Sequence, residues 1–193
     1  MLTITGIGAA IAVDLVKAGV IVVGLARRPE KIDALQDQLK GAKGKLHSYS
    51  CDVSKLESIQ KAFAWIEKTF GNVHILVNNA GVFRNVRIFD TDKTVTNKLE
   101  EVVDTNVKGL VNCTREAFKI MEKHDDYGYI FNVNSVAGHK VSSNNKDIST
   151  NIYAGSKFAV TATTAVMRDE LTALKNKKIR VSVSLDHLNK SNY

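Results

Sequence analysis

Proline is almost missing from this chain. Ordinary usage near 5% would supply roughly ten in a chain of this size, and the 193 residues hold only Pro29. Irregular, proline-punctuated segments are therefore few, or some are missing. Cysteine is equally sparse: Cys51 and Cys113 lie far apart in apolar or strand-like surroundings. This excludes a disulfide scaffold and fits two small buried hydrophobes in a reducing compartment. No apolar run approaches the roughly 18 residues that would span a bilayer. Met1 to Ile11 has neither a basic leader nor a usable cleavage site, so a cytosolic protein is the expectation.

What is present is an ordinary globular composition, 44% hydrophobic and 24% charged. It excludes disorder and collagen-like repeats and suits a single domain over 1–193. The formal charge is +7, but the lysines are scattered and the densest group, Lys175, Lys177, Lys178 and Arg180, closes a helix. A nucleic-acid site would bring a patch or stripe with a recognisable motif. The charge reads as a solvated basic surface, with no nucleic acid as partner.

Short β-branched runs alternate with helical patterns. Expected strands are Leu2–Thr5, Val20–Ala26, Leu46–Cys51, His74–Asn78, Tyr129–Val133 and Ile179–Ser184. Expected helices are Gly8–Ala18, Glu30–Lys40, a segment opened by a capping box at Ser54 and Glu57 and running to Phe70, Thr94 to about Lys123, and Ile152–Leu174. The run VIVVGLA is apolar without alternation, the mark of a strand buried on both faces. Strands separated by helices imply right-handed crossovers and an α/β, doubly wound parallel sheet of six strands. Ligands of such sheets lie beyond the carboxyl ends of the strands.

The residues after each strand are therefore the ones to weigh. Thr5-Gly6-Ile7-Gly8 could bring backbone to a pyrophosphate at a helix N-terminus, or form a plain tight turn. Arg27 and Arg28 stand where a site for NAD would place a carboxylate, and two guanidiniums suit a 2′-phosphate. They could equally be surface arginines at a helix start. Asp52, followed by Val53, could bond an adenine edge or merely assist the next helix. Asn78-Asn79-Ala80-Gly81 could fix a loop or line a ligand. Asn134, Ser135 and Gly138 follow the fifth strand. Tyr153 and Lys157 then sit four residues apart on one helix face. An ammonium beside a phenol favours the phenolate and so makes the tyrosine a usable acid and base.

Taken in order, these residues resemble the short-chain dehydrogenase/reductase family. The matching pieces are Gly6-Ile7-Gly8, Asn78-Asn79-Ala80-Gly81, Asn106 within Asp104-Thr-Asn-Val-Lys-Gly109, Ser135, and Tyr153 with Lys157. The text HILVNNAGVF and YAGSKFAVTA resembles the farnesol dehydrogenase-like branch. The resemblance implies a Rossmann-type fold in which Tyr153 exchanges a proton with the substrate oxygen. Lys157 would support Tyr153 and bond the nicotinamide ribose, Ser135 would orient the reacting oxygen, and Asn106 would anchor a water that relays protons. Asn79, Ala80 and Gly81 would serve the sheet and the adenosine side, with Asp52 and Val53 also on the cofactor, and Arg27 and Arg28 would favour NADP. The implied substrate is a small lipophilic alcohol or carbonyl compound, such as a terpenoid. The implied assembly is a homodimer through the two long helices.

Two departures qualify the resemblance. The family's loop reads Thr-Gly-x-x-x-Gly-x-Gly, and Thr5-Gly6-Ile7-Gly8 keeps only its ends, so weakened cofactor binding is expected. The last strand runs into Leu185-Asp186-His187 where the family has Pro-Gly, a substrate loop and a seventh strand, so the domain reads as truncated at both ends. Residues 136–152, including Ser142–Asp147, read as an exposed loop, and His139 and His187 as surface histidines. Two functions follow: an NADP-dependent oxidoreductase, or a catalytically impaired product that pairs with a full-length relative.

Overall fold

The computed structural model describes residues 6–141 and 150–186. Helix α1 (Ile7–Lys17) leads into strand β1 (Ile21–Ala26), and a short α2 (Glu30–Asp33) precedes β2 (Lys45–Ser50). Helix α3 (Leu56–Phe70) leads to β3 (Ile75–Asn78). Helices α4 (Lys93–Val103) and α5 (Leu110–Lys123) precede β4 (Gly128–Ser135), and α6 (Asn151–Ala173) precedes β5 (Ile179–Asp186). Every strand pairing is parallel: β1 with β2, β3 with β4, and β4 with β5. Of the six expected strands, five are therefore seen among the described residues. The expected strand Leu2–Thr5, the loop Ser142–Asp147 and His187 lie outside them.

Among the described residues the strands form two groups, β1-β2 and β3-β4-β5. The main core joins α3, α5 and the central strands through Ile59, Phe63, Met121 and Ile130. A second core under β1 holds Ala12, Val16, Val22 and Ile32. Each fully buried aliphatic side chain, such as Ile59 or Ile32, contributes about 2 kcal/mol through apolar area withdrawn from water.

Three expectations need correction. The helix expected over 30–40 stops after Asp33 and resumes as a 3₁₀ turn at Gln36–Leu39. It is anchored mainly by Ile32, which packs tightly over Gly24, and so short a piece gains little from helical cooperativity. The capping box at Ser54 and Glu57 does not form. Asp52 is a stronger acceptor: its Oδ1 takes the Ser54 N–H at 3.1 Å and the Ser54 hydroxyl at 2.8 Å. The helix starts later, at Leu56, and Glu57 pairs with Lys61. Finally, the helix expected from Thr94 to Lys123 is interrupted by a π turn at Asp104–Gly109.

That turn closely approaches another segment. A Cβ on Gly109 would lie 2.8 Å from the Val53 carbonyl oxygen, so the chain passes directly over the end of β2. The start of α4 is set by Asp92, whose carboxylate accepts the Thr94 N–H at 2.7 Å and the Thr94 hydroxyl at 2.6 Å.

Candidate active site

The parallel strands bring β3, β4 and the start of α6 to one end of the sheet, and the candidate residues meet there. Buried asparagines hold that end rigid. Asn78 donates to Thr114 Oγ1 and to Asn132 Oδ1, both at 2.9 Å. Asn132 in turn donates to Thr164 Oγ1 at 2.9 Å. One polar chain thus runs from α5 through two strands to α6. Such a buried chain specifies geometry strongly, although Asn78 Oδ1 is left without a hydrogen-bond partner in it.

Asn106 lies on the π turn and is 2% exposed. Its Oδ1 accepts the Val82 N–H at 2.8 Å, and its Nδ2 donates to the Val82 carbonyl and to Ser156 Oγ, both at 3.0 Å. The Ser156 hydroxyl donates to the Tyr153 carbonyl at 2.7 Å. The Asn106 amide therefore joins the loop after β3 to the first turns of α6. Its side chain is engaged with protein through both the amide oxygen and the amide nitrogen.

Lys157 is 7% exposed. Its ammonium donates to the Val133 carbonyl at 3.1 Å and stands 5.9 Å from the centre of the Tyr153 ring. Gly81 opens onto the same place. A Cβ there would lie in contact with both groups, 3.5 Å from Asn106 Oδ1 and 3.8 Å from Lys157 Nζ. Ser135 ends β4, and its hydroxyl accepts the Ala137 N–H at 3.2 Å. Phe83 completes the surroundings, its ring edge-on to Tyr153 with centres 5.4 Å apart.

The remaining expected residues are placed less centrally. Arg27 and Arg28 are exposed directly after β1. Gly6 caps α1 with φ 71°, a conformation glycine tolerates, and nothing lies within 4 Å of where its Cβ would be. Ile7 and Gly8 form the first turn of that helix. Asp52 Oδ1 accepts from Ser54 in the turn before α3, and Val53 is buried against Gly109. Asn79 turns the chain through its N–H to Val77 O, and Ala80 packs on the main core. His139 is exposed. Among the described residues no cluster of histidine, cysteine or acidic side chains could hold a metal ion.

Ser156 and Asn151 were not singled out by sequence. Ser156 had a faint signal, a hydroxyl one residue before Lys157. Asn151 had none: its amide reaches the Arg84 and Val86 carbonyls, 67 and 65 residues away in the chain.

A parallel sheet with helices packed on it, and a tyrosine, lysine, asparagine and serine gathered past its carboxyl edge, defines a Rossmann-type oxidoreductase architecture. Residues 3–185 match the short chain dehydrogenase family, and the chain belongs to it. It is 49% identical over 181 residues to the farnesol dehydrogenase of Aedes aegypti, covering 93% of this chain and 71% of that one. It is 39% identical over 169 residues to human dehydrogenase/reductase SDR family member 11, covering 86% of this chain and 63% of that one. A metagenomic short-chain oxidoreductase in complex with NADP superposes with a TM-score of 0.80 at 28% identity, covering 94% of this chain and 77% of that chain. A Burkholderia phymatum relative in complex with NAD superposes at 0.81 and 26% identity, covering 93% and 61%. Among the described residues no helix is long and apolar enough to cross a membrane.

Proposed function

We propose that this chain interconverts an alcohol and a carbonyl on a small lipophilic substrate, using NADP, with a terpenoid alcohol such as farnesol as the leading candidate. The observation that carries the reading is the buried ammonium of Lys157 beside the Tyr153 ring. That ammonium is held by the Val133 carbonyl and stands beside the phenol ring, with Gly81 facing the same place, and a cation so placed favours the phenolate. The identity to the mosquito farnesol dehydrogenase supports the substrate class.

The residues fit a nicotinamide cofactor at its reactive end. Lys157 and Tyr153 would hold the ribose, with Gly81 beside them, and the start of α1 would face the pyrophosphate. When bound, that cofactor supplies or accepts the hydride. Tyr153 gives a proton to the substrate oxygen in reduction and takes it in oxidation. Lys157 stabilises negative charge on the phenolic oxygen. Ser135 donates a hydrogen bond to the same substrate oxygen and so fixes its direction. Asn106, tied to Val82 and Ser156, keeps the loop and α6 in register. Arg27 and Arg28 would pair with a 2′-phosphate.

The test is farnesol oxidation by the purified protein, followed by absorbance of the reduced cofactor. NADP-dependent turnover, abolished by Tyr153→Phe, is expected. Replacing Arg27 and Arg28 with alanine should weaken NADPH binding about tenfold or more and leave NADH binding nearly unchanged. Saturable NADPH binding without turnover would reject the catalytic reading, and equal affinity for NADH and NADPH would reject the role of the arginines.

A further inference from the structure

The loop between β3 and α4 carries two exposed phenylalanines that are held very differently. Phe89 is 96% exposed. Phe83 is 38% exposed, yet the backbone on both sides of it is tied down. The Val82 N–H and carbonyl are both bonded to Asn106. The Phe83 carbonyl accepts from Arg84 Nη1 at 2.9 Å. Asn151 donates to the Arg84 carbonyl at 2.7 Å and to the Val86 carbonyl at 2.8 Å. The Arg84 guanidinium is itself forked onto Glu101. Asn151 adopts φ 35°, a left-handed conformation that costs energy outside glycine.

These ties come from three separate elements, the π turn, α4 and the start of α6. Their common effect is to fix the backbone that presents one solvent-facing aromatic ring. That ring stands at 85° to the ring of Tyr153, 5.4 Å away. A solvent-facing phenylalanine gains little from such restraint by itself. It gains much if an apolar group is to be packed against it, because a preordered wall pays no ordering entropy on binding.

We propose that Phe83 is a specificity-determining residue that receives the apolar chain next to the reacting carbon. This rests on the proposed role of Tyr153 in holding the substrate oxygen. With that oxygen on the phenol, the carbon chain leaves the reaction centre toward the exposed side of Phe83. A long unsaturated chain covers the ring, whereas a two- or three-carbon alcohol ends before reaching far across it. Phe83 therefore selects for chain length and leaves the proton chemistry to Tyr153.

The proposal is tested first by binding, without need of turnover. The protein is labelled with 4-fluorophenylalanine, and the Phe83 fluorine resonance among the seven is assigned by its loss in Phe83→Leu. Titration with farnesol, with and without NADP, should shift that resonance saturably, while propan-1-ol should not. An unmoved Phe83 resonance overturns the proposal, whether or not the protein oxidises alcohols. A saturable shift without turnover upholds Phe83 as the chain-binding wall and places the failure in the dehydrogenase reading.

Where turnover is observed, Phe83→Ala should lower kcat/KM for farnesol about tenfold or more and change that for propan-1-ol less than about threefold. Phe83→Tyr, which keeps the ring, should restore the preference. An equal loss on both alcohols overturns the proposal, since it would mark Phe83 as a support for Tyr153 alone.

Discussion

Cys113 is fully buried, and loss of hydration pushes its thiol up to about 12. Burial also raises Cys51, whose thiol donates to the Ser58 carbonyl. The thiolate is the reactive species, so neither side chain should react with Ellman's reagent in the folded protein at pH 8, and both should react in guanidinium. Rapid colour in the native protein would contradict this. Asn106 is the opposite case, a polar residue whose value lies in being buried. Asn106→Ala would leave the Val82 N–H and carbonyl without partners and should cost roughly 2–4 kcal/mol, read by denaturant titration. A loss well under 1 kcal/mol would mean that the Val82 groups find other partners. At this scale the sequence was informative about type but not about use. Asn106 and Lys157 could be picked out by motif, whereas Asn151, Ser156 and Phe83 act through groups distant in the chain.

At the scale of elements, capping and competition decide the boundaries. The Asp92 carboxyl is held below the usual carboxylate range by the hydroxyl and then the N–H of Thr94. A depressed carboxylate contributes stability at neutral pH that is lost as pH falls through its folded value. Asp92→Ala should therefore lower the melting temperature at pH 7, and the gap to the unsubstituted protein should close as pH drops below about 4. A gap that persists at pH 3 would show that the cap acts through something other than the charged carboxylate. The same competition explains Ser54: its N–H, which Glu57 would accept in a capping box, is taken by the nearer carboxylate of Asp52. The π turn carries no residue-type signature, since the apolar stripe of α4 and α5 survives one inserted residue. It packs closely on Val53, in the turn between β2 and α3.

Across the whole molecule, the exposed side of α6 presents Phe158 and Val166 at 41% and 52% exposure. We propose that a homodimer through the two long helices covers them. Light scattering should then give a mass about twice 21.2 kDa, and replacing Phe158 and Val166 together with glutamate should halve it. A monomer before substitution would reject the pairing.

The alternation of strand and helix, the parallel sense and the residues beyond each carboxyl end could be read from periodicity and motif, because those depend on near neighbours along the chain. Scarcity of proline and cysteine had already narrowed the class to a compact fold built on packing. Tertiary structure alone decided where the π turn falls within a continuous apolar helix and that Phe83 is pinned beside Tyr153. Each of these rests on contacts between segments tens of residues apart, whose distances no local pattern encodes.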